Sequence, residues 1–164
     1  MTILYRILSF IINIFSVFVL IMLLIMLPLA IGAPALLLPV FMLACVVLYS
    51  WFSTRFRQQV LMRQIQVKKS LKDWVKVNGY VALFFSFLNI SSSIAVIRNP
   101  NMILDSYKEM MKQFGTKMQQ EISVSTITTA SYVMLIWVLA LAIHILWTFA
   151  LIKKNESFFE KDVV

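Results

Sequence analysis

The sequence has few of the residues on which most enzyme chemistry depends. It contains one cysteine, one histidine and three glycines in 164 residues. The single Cys45 excludes an intrachain disulfide, a CxxC redox pair and a metal site built on several cysteines. Gly32, Gly79 and Gly115 are too scattered to form a phosphate-binding loop, and no GxSxG or HExxH motif occurs. We therefore expect no enzymatic activity, no cofactor and no metal site.

Acidic residues are also scarce. The chain has 7 Asp and Glu against 15 Lys and Arg, which gives a formal net charge of +8. All of the acids lie outside the long apolar runs. Because a proton-coupled transporter usually keeps a carboxylate within the membrane, this distribution weighs against that class of protein.

Apolar residues, by contrast, make up 61% of the chain. They form four runs, at about 7–29, 35–52, 79–97 and 126–151, and about 20 such residues suffice to cross a bilayer as a helix. The pattern predicts an all-α polytopic membrane protein, a bundle of four transmembrane helices in a single domain, 1–164. A signal peptide is the alternative for the first run, but a second apolar run follows it at once. Pro28, Gly32 and Pro34 predict a tight turn between these two runs.

A basic segment, 55–76, separates the two pairs of runs. It is predicted either to be an amphipathic helix on the inner leaflet or to extend the second helix as far as a turn near Ser70. Tyr49, Trp51 and Phe52 precede it and are expected to form an interfacial aromatic belt. Seven cations in this segment are expected to contact anionic headgroups: Arg55, Arg57, Arg63, Lys68, Lys69, Lys72 and Lys76.

The third run carries a stripe of small and polar residues at helical spacing. Small residues allow close approach of helices, and Ser or Asn can hydrogen-bond between them, so the stripe is predicted to be a packing face. A pore-lining face is the alternative. The stripe comprises Gly79, Ala82, Ser86, Asn89 and Ser93.

Each of the four runs also holds one polar or soft side chain in its inner half. His144 precedes Lys153 by nine residues, so it is expected roughly 13 Å from the inner boundary at about 1.5 Å per residue. Asn13, Cys45 and Ser86 are expected at a similar depth. We predict an intramembrane polar layer of these four residues, in which neutral His144 is hydrogen-bonded to Asn13 or Ser86. A proton or ligand site at His144 is the alternative.

An amphipathic helix is predicted at about 100–118, between the third and fourth runs. Asn99 and Pro100 favour a helix start. Its apolar face comprises Ile103, Leu104, Tyr107, Met110, Met111, Phe114 and Met118. We expect this helix to lie along the outer surface of the membrane and to cap the bundle, with docking to another protein as the alternative. Its methionines are interpreted as packing residues rather than copper ligands.

Two functions are compatible with these features. The first is a non-enzymatic membrane protein that acts through protein contacts, as an accessory subunit or as an immunity-type protein. The alternative is a small oligomeric transporter or channel in which the third run lines the path. The expected location is a cell membrane, specifically a bacterial inner membrane. Lipid, a protein partner or further copies of the chain are the expected partners, and nucleic acid is not.

Orientation is predicted from the distribution of the cations. Eleven lie before the first run, in 55–76 or after the fourth run, and four lie between the third and fourth runs. Because Lys and Arg in short loops stay cytoplasmic, both termini should be cytoplasmic. A reporter fused after Val164 should behave as cytoplasmic, and one inserted near Gly115 as external. The reverse pattern would contradict this topology.

Overall fold

The computed structural model describes residues 3–101, 103–106 and 123–159 and is all-helical. Four helices are long and apolar enough to cross a membrane. They are α1 (Ile3–Gly32), α2 (Leu37–Phe56), α3 (Lys69–Arg98) and α4 (Val124–Lys154). A π-helical segment, Arg57–Met62, continues α2. The four predicted spans are therefore confirmed as helices. Helices α1, α3 and α4 extend beyond both ends of their apolar runs, whereas α2 starts two residues inside its run and extends beyond its end.

The chain forms two compact units. Of the described residues, the first unit contains those up to Phe85 and those from Ala140 onward, and the second contains Ser86–Leu139. The first unit thus holds α1, α2, the basic segment, the N-terminal part of α3 and the C-terminal part of α4. The predicted amphipathic helix at about 100–118 lies mainly outside the described residues, and of it residues 100, 101 and 103–106 are helical.

The turn between α1 and α2 begins later than the prolines predict. Pro28 lies inside α1, and the helix continues to Gly32. Ala33 is then extended (φ −138°, ψ 90°), as expected for a residue that precedes a proline. Pro34 starts a short 3₁₀ turn, Pro34–Leu36, that leads into α2. The turn is therefore made by Ala33 and Pro34, whereas the end of α1 tolerates the hydrogen bond lost at Pro28.

Helix α1 buries its more polar face against the rest of the protein and exposes its apolar face at the protein surface. Its buried residues Tyr5, Ser9, Ile12, Ser16 and Val19 repeat at helical spacing along one face. Large apolar side chains elsewhere on the helix are exposed, and Phe10 and Phe18 are more than half exposed. This distribution suits a helix whose outer surface meets lipid and whose inner surface carries hydroxyl groups. The hydroxyls of Tyr5 and Ser9 are paired, whereas the buried Oγ of Ser16 has no hydrogen-bond partner among the described residues.

The basic segment follows the second of its two predicted alternatives, the extension of α2. The π-helical segment carries the chain to Met62, and α3 begins at Lys69, so the turn lies at 63–68 rather than near Ser70. The Val67 N–H donates to the carbonyl of Phe158, 2.9 Å away, in a parallel bridge between Val67 and Phe159. This bridge connects the turn to the residues that follow α4.

Two side-chain contacts support the same connection. The ring of Phe159 stacks on that of Phe56, with centroids 6.0 Å apart. Lys72, near the start of α3, donates a hydrogen bond to Glu156 and forms an ion pair with it. That hydrogen bond and the charge of Lys72 lower the pKa of the Glu156 carboxyl. The ends of α2, α3 and α4 within the first unit are thereby linked.

Helices α3 and α4 approach closely at Gly79. A Cβ atom added there would lie 2.7 Å from Cζ of Phe149 and 3.4 Å from Cγ2 of Ile145. Such a distance to an aromatic ring forces the ring to move, so this position requires a residue without a side chain.

The effect of a side chain at Gly79 can be tested by substitution. Gly79→Leu should lower the free energy of unfolding by about 2 kcal/mol, since it overfills a packed interface. Gly32→Leu is the matched control, because nothing lies within 4 Å of a Cβ at that helix end. Thermal unfolding in a mild detergent would measure both. Equal melting temperatures for the two variants would be inconsistent with close packing at Gly79.

Candidate functional site

His144 lies at the centre of a buried hydrogen-bond cluster contributed by three helices. We call this cluster the His144 network: Tyr5 and Ser9 from α1, Tyr49 from α2, and His144 and Thr148 from α4. These five side chains are between 0% and 4% exposed. His144 and Thr148 are four residues apart, as are Tyr5 and Ser9, so helical periodicity places each pair on one helix face.

Both ring nitrogens of His144 have hydroxyl partners. Nδ1 lies 2.8 Å from the hydroxyl oxygen of Tyr49, and Nε2 lies 2.9 Å from Oγ of Ser9. The Tyr5 ring stacks on the imidazole with centroids 5.1 Å apart and planes 9° apart. The Tyr49 ring meets the imidazole edge-on at 5.8 Å. The imidazole is therefore fixed by α1 and α2 both through its ring faces and through its nitrogens.

Thr148 joins the two tyrosines. Its hydroxyl donates to the carbonyl of His144, one turn earlier in α4, at 2.7 Å. Because its proton is used in that bond, Oγ1 of Thr148 accepts from the hydroxyls of Tyr5 and Tyr49, each 3.0 Å away. Oγ1 of Thr148 in α4 is thus hydrogen-bonded to both α1 and α2.

These bonds determine where the protons of the network lie. The proton of Tyr49 goes to Thr148, so Nδ1 of His144 carries a hydrogen and donates it to Tyr49. In the neutral ring, Nε2 then accepts from Ser9. The Ser9 hydroxyl also lies 2.8 Å from the carbonyl of Tyr5 and can donate there instead. The single Ser9 proton cannot serve both acceptors, so in the neutral ring Nε2 is hydrogen-bonded only when Ser9 donates to His144 rather than to Tyr5.

The predicted partners of His144 differ from those in the structure. Its nitrogens bond to Ser9 and Tyr49, whereas the prediction named Asn13 or Ser86. Oδ1 of Asn13 instead accepts from Ser50 at 2.8 Å and from Thr54 at 2.9 Å. Asn13 therefore links α1 to α2 in a second cluster.

The other two members of the predicted layer, Cys45 and Ser86, are both buried. Cys45 is a free thiol on α2, in the first unit. Ser86 is on α3, in the second unit. The prediction that the four residues form one layer stays a prediction.

Tyr49 was assigned the wrong role from the sequence. It was expected in an interfacial belt with Trp51 and Phe52, yet it is fully buried, whereas Trp51 is 62% exposed. Positions 49 and 51 lie about 200° apart around the helix, so Tyr49 faces the other helices and Trp51 faces away from them. Tyr5, Ser9 and Thr148 were not identified as site residues. Their spacings of four residues from one another or from His144 were the available signal.

The small-residue stripe of α3 falls on its less exposed side. Gly79 and Ala82 in the first unit are buried, as are Ser86 and Ser93 in the second, and Asn89 is partly exposed. Tyr80, Phe84 and Phe87 are each more than half exposed. This burial is compatible with the predicted packing face. The contact between Gly79 and Phe149 identifies α4 as the neighbour at one end of the stripe.

The seven cations of the basic segment divide by position. Arg55, Arg63 and Lys68 line a surface groove near the turn between α2 and α3. Arg57 lies in the π-helical segment, and Lys69, Lys72 and Lys76 lie in the first turns of α3. The groove was not predicted from the sequence.

Over residues 3–101, 103–106 and 123–159, no group of three or more His, Cys, Asp and Glu side chains is placed to hold a metal ion. Comparison of the chain with protein-family models, characterised proteins and solved structures gives no match. The fold is therefore that of an all-helical protein with four candidate membrane-spanning helices in the described residues.

The His144 network yields a test of its contribution to stability. Tyr49→Phe should destabilise the protein by about 1–2 kcal/mol, because it removes the acceptor for Nδ1–H of His144 and a donor to Thr148. Tyr80→Phe makes the same chemical change on a side chain that is 62% exposed and should have little effect. Thermal unfolding in mild detergent would compare them. A melting temperature for Tyr49→Phe as high as that of Tyr80→Phe would show that the network contributes nothing measurable.

Proposed function

We propose that this chain is a non-enzymatic integral membrane protein that acts through protein contacts, as an accessory subunit or as an immunity-type protein that blocks a membrane toxin. The enclosure of His144 supports this proposal most directly. The ring is 1% exposed, and its two nitrogens bond to side chains of two other helices. A histidine that gates a path or binds a transported species needs a nitrogen accessible to that species.

The proposed setting is a bacterial inner membrane with both termini in the cytoplasm. The excess of cations at the termini and in 55–76 supports this orientation. In it, the basic segment contacts anionic headgroups of the inner leaflet, and the amphipathic helix at about 100–118 lies on the outer surface. The exposed apolar side chains of α1 provide the surface for lipid or for a partner helix.

The contact function and the transporter alternative differ in what accompanies the purified protein. The protein should be extracted from its native membrane in mild detergent and its mass measured intact. A different protein bound in fixed stoichiometry would support the contact function. A homo-oligomer without foreign protein would favour a transporter or channel.

A flux assay with a matched pair of variants provides the second arm of the test. Vesicles that contain the purified protein should pass protons and small ions no faster than empty vesicles. If flux appears, the substitutions Ser86→Ala and Ser91→Ala distinguish its route, because Ser86 is buried on the α3 stripe and Ser91 is exposed. Flux that falls with Ser86→Ala alone would contradict the proposed function and would favour the transporter reading.

A further inference from the structure

A groove of about 540 Å³ opens beside the turn between α2 and α3. Residues from the end of α2, the π-helical segment, the turn and the start of α3 line it, and all of them belong to the first unit. Its volume falls in the range of small-molecule sites, about 300–1,000 Å³. In the proposed orientation it lies on the cytoplasmic side, level with the inner headgroups.

The chemistry of the groove is cationic. Arg55, Arg63 and Lys68 contribute three positive charges, and none of the described residues that line the groove is acidic. Gln59 and Gln66 add amide groups that can donate hydrogen bonds. The guanidinium of Arg55 also lies 5.7 Å from the Trp51 ring centre, which restricts where its charge can be. Guanidinium and ammonium groups that line one groove favour an anionic ligand such as a phosphate group.

An aromatic pair forms the apolar side of the groove. The rings of Phe52 and Trp74 stack with centroids 5.5 Å apart and planes 17° apart. Trp74 is nevertheless 51% exposed, and Ile65, which also lines the groove, is 48% exposed. A soluble phosphate compound would leave these surfaces in contact with water. A phospholipid would cover them with its glycerol and the first carbons of its acyl chains.

An unusual backbone conformation builds the groove. Gln64 has φ of 52°, a left-handed conformation that is unfavourable for a residue with a Cβ. It ends the π-helical segment and allows the N–H of Ile65 to donate to the carbonyl of Gln59 at 3.0 Å. The flanking residues Arg63 and Ile65 are thereby both brought to the groove. A left-handed residue at this position is a common way to end a helix, and here it turns the chain towards α3.

We propose that this groove binds the phosphate headgroup of an anionic phospholipid of the inner leaflet. Arg55, Arg63 and Lys68 hold the phosphate, and Phe52 and Trp74 contact the glycerol and upper acyl carbons. This inference rests on the proposed orientation, in which the basic segment faces the inner leaflet. It goes further by separating the three cations that bind the phosphate from the other four cations of the basic segment.

The test is to titrate the full-length protein in mild detergent with phosphatidylglycerol and to count bound lipid by intact-mass measurement. Phosphatidylcholine is the zwitterionic control lipid, and glycerol 3-phosphate is the soluble competitor. Arg63→Gln and Lys68→Gln each remove one groove cation, and both side chains are exposed, so folding should be preserved. Lys76→Gln removes one charge from the same segment but outside the groove and is the matched control.

We expect wild-type protein to prefer phosphatidylglycerol over phosphatidylcholine. Arg63→Gln and Lys68→Gln should each weaken phosphatidylglycerol binding by about tenfold, the loss of one charge-assisted contact, and Lys76→Gln by less than about twofold. Glycerol 3-phosphate should not displace the lipid. This combination would support the groove as a phospholipid site.

The other outcomes each overturn a different statement. Equal weakening by all three substitutions would mean attraction to the basic segment as a whole, which removes the groove but keeps the inner-leaflet contact. Displacement by glycerol 3-phosphate would identify a soluble phosphate compound as the ligand instead. Absence of preference for phosphatidylglycerol would remove both the groove and the proposed headgroup contact. The contact function would be unaffected by any of these results, since its test is the co-purifying protein.

Discussion

Polar groups of this chain that enter the bilayer must find their partners inside the protein, because lipid offers none. The His144 network is the main place where the first unit meets this requirement. Its hydroxyl and imidazole groups come from α1, α2 and α4, and each bond between helices also sets the rotation of a helix about its own axis. Since lipid chains are as apolar as the side chains of α1, hydrophobic burial alone would leave that rotation free.

The rest of the first unit depends on the orientation that this network imposes. With Tyr5 and Ser9 turned inward, the apolar side chains of α1 are directed outward. With Tyr49 of α2 bonded to α4, the next residue, Ser50, lies about 100° further around α2 and donates to Asn13 of α1. Beyond the expected membrane boundary the constraint changes, because water is available there. The ends of α2, α3 and α4 are joined instead by a backbone bridge, a ring stack and an ion pair at the surface.

The four helices could be predicted because length and hydropathy are local properties of the sequence. Their ends were less predictable, since α3 begins ten residues before its apolar run, at Lys69 rather than at 79. That His144 would be hydrogen-bonded to other helices was also predictable, because an unpaired polar group in lipid is costly. Its partners were not, because they depend on the rotational phase of α1 and α2 relative to α4. The groove could not be predicted at all, since it depends on a left-handed glutamine, and Gln is not a residue type that indicates such a turn.

The geometry at Thr148 has a consequence for how this sequence can change over time. A single hydroxyl oxygen serves two tyrosines while its proton is held by the backbone of its own helix. An apolar replacement of Thr148 would remove an acceptor that two phenol groups share. A replacement of either tyrosine would change the hydrogen bonding of the other through the shared oxygen. Positions 5, 49 and 148 are therefore expected to be epistatic, so that the tolerated changes are joint ones or the single exchange of threonine for serine.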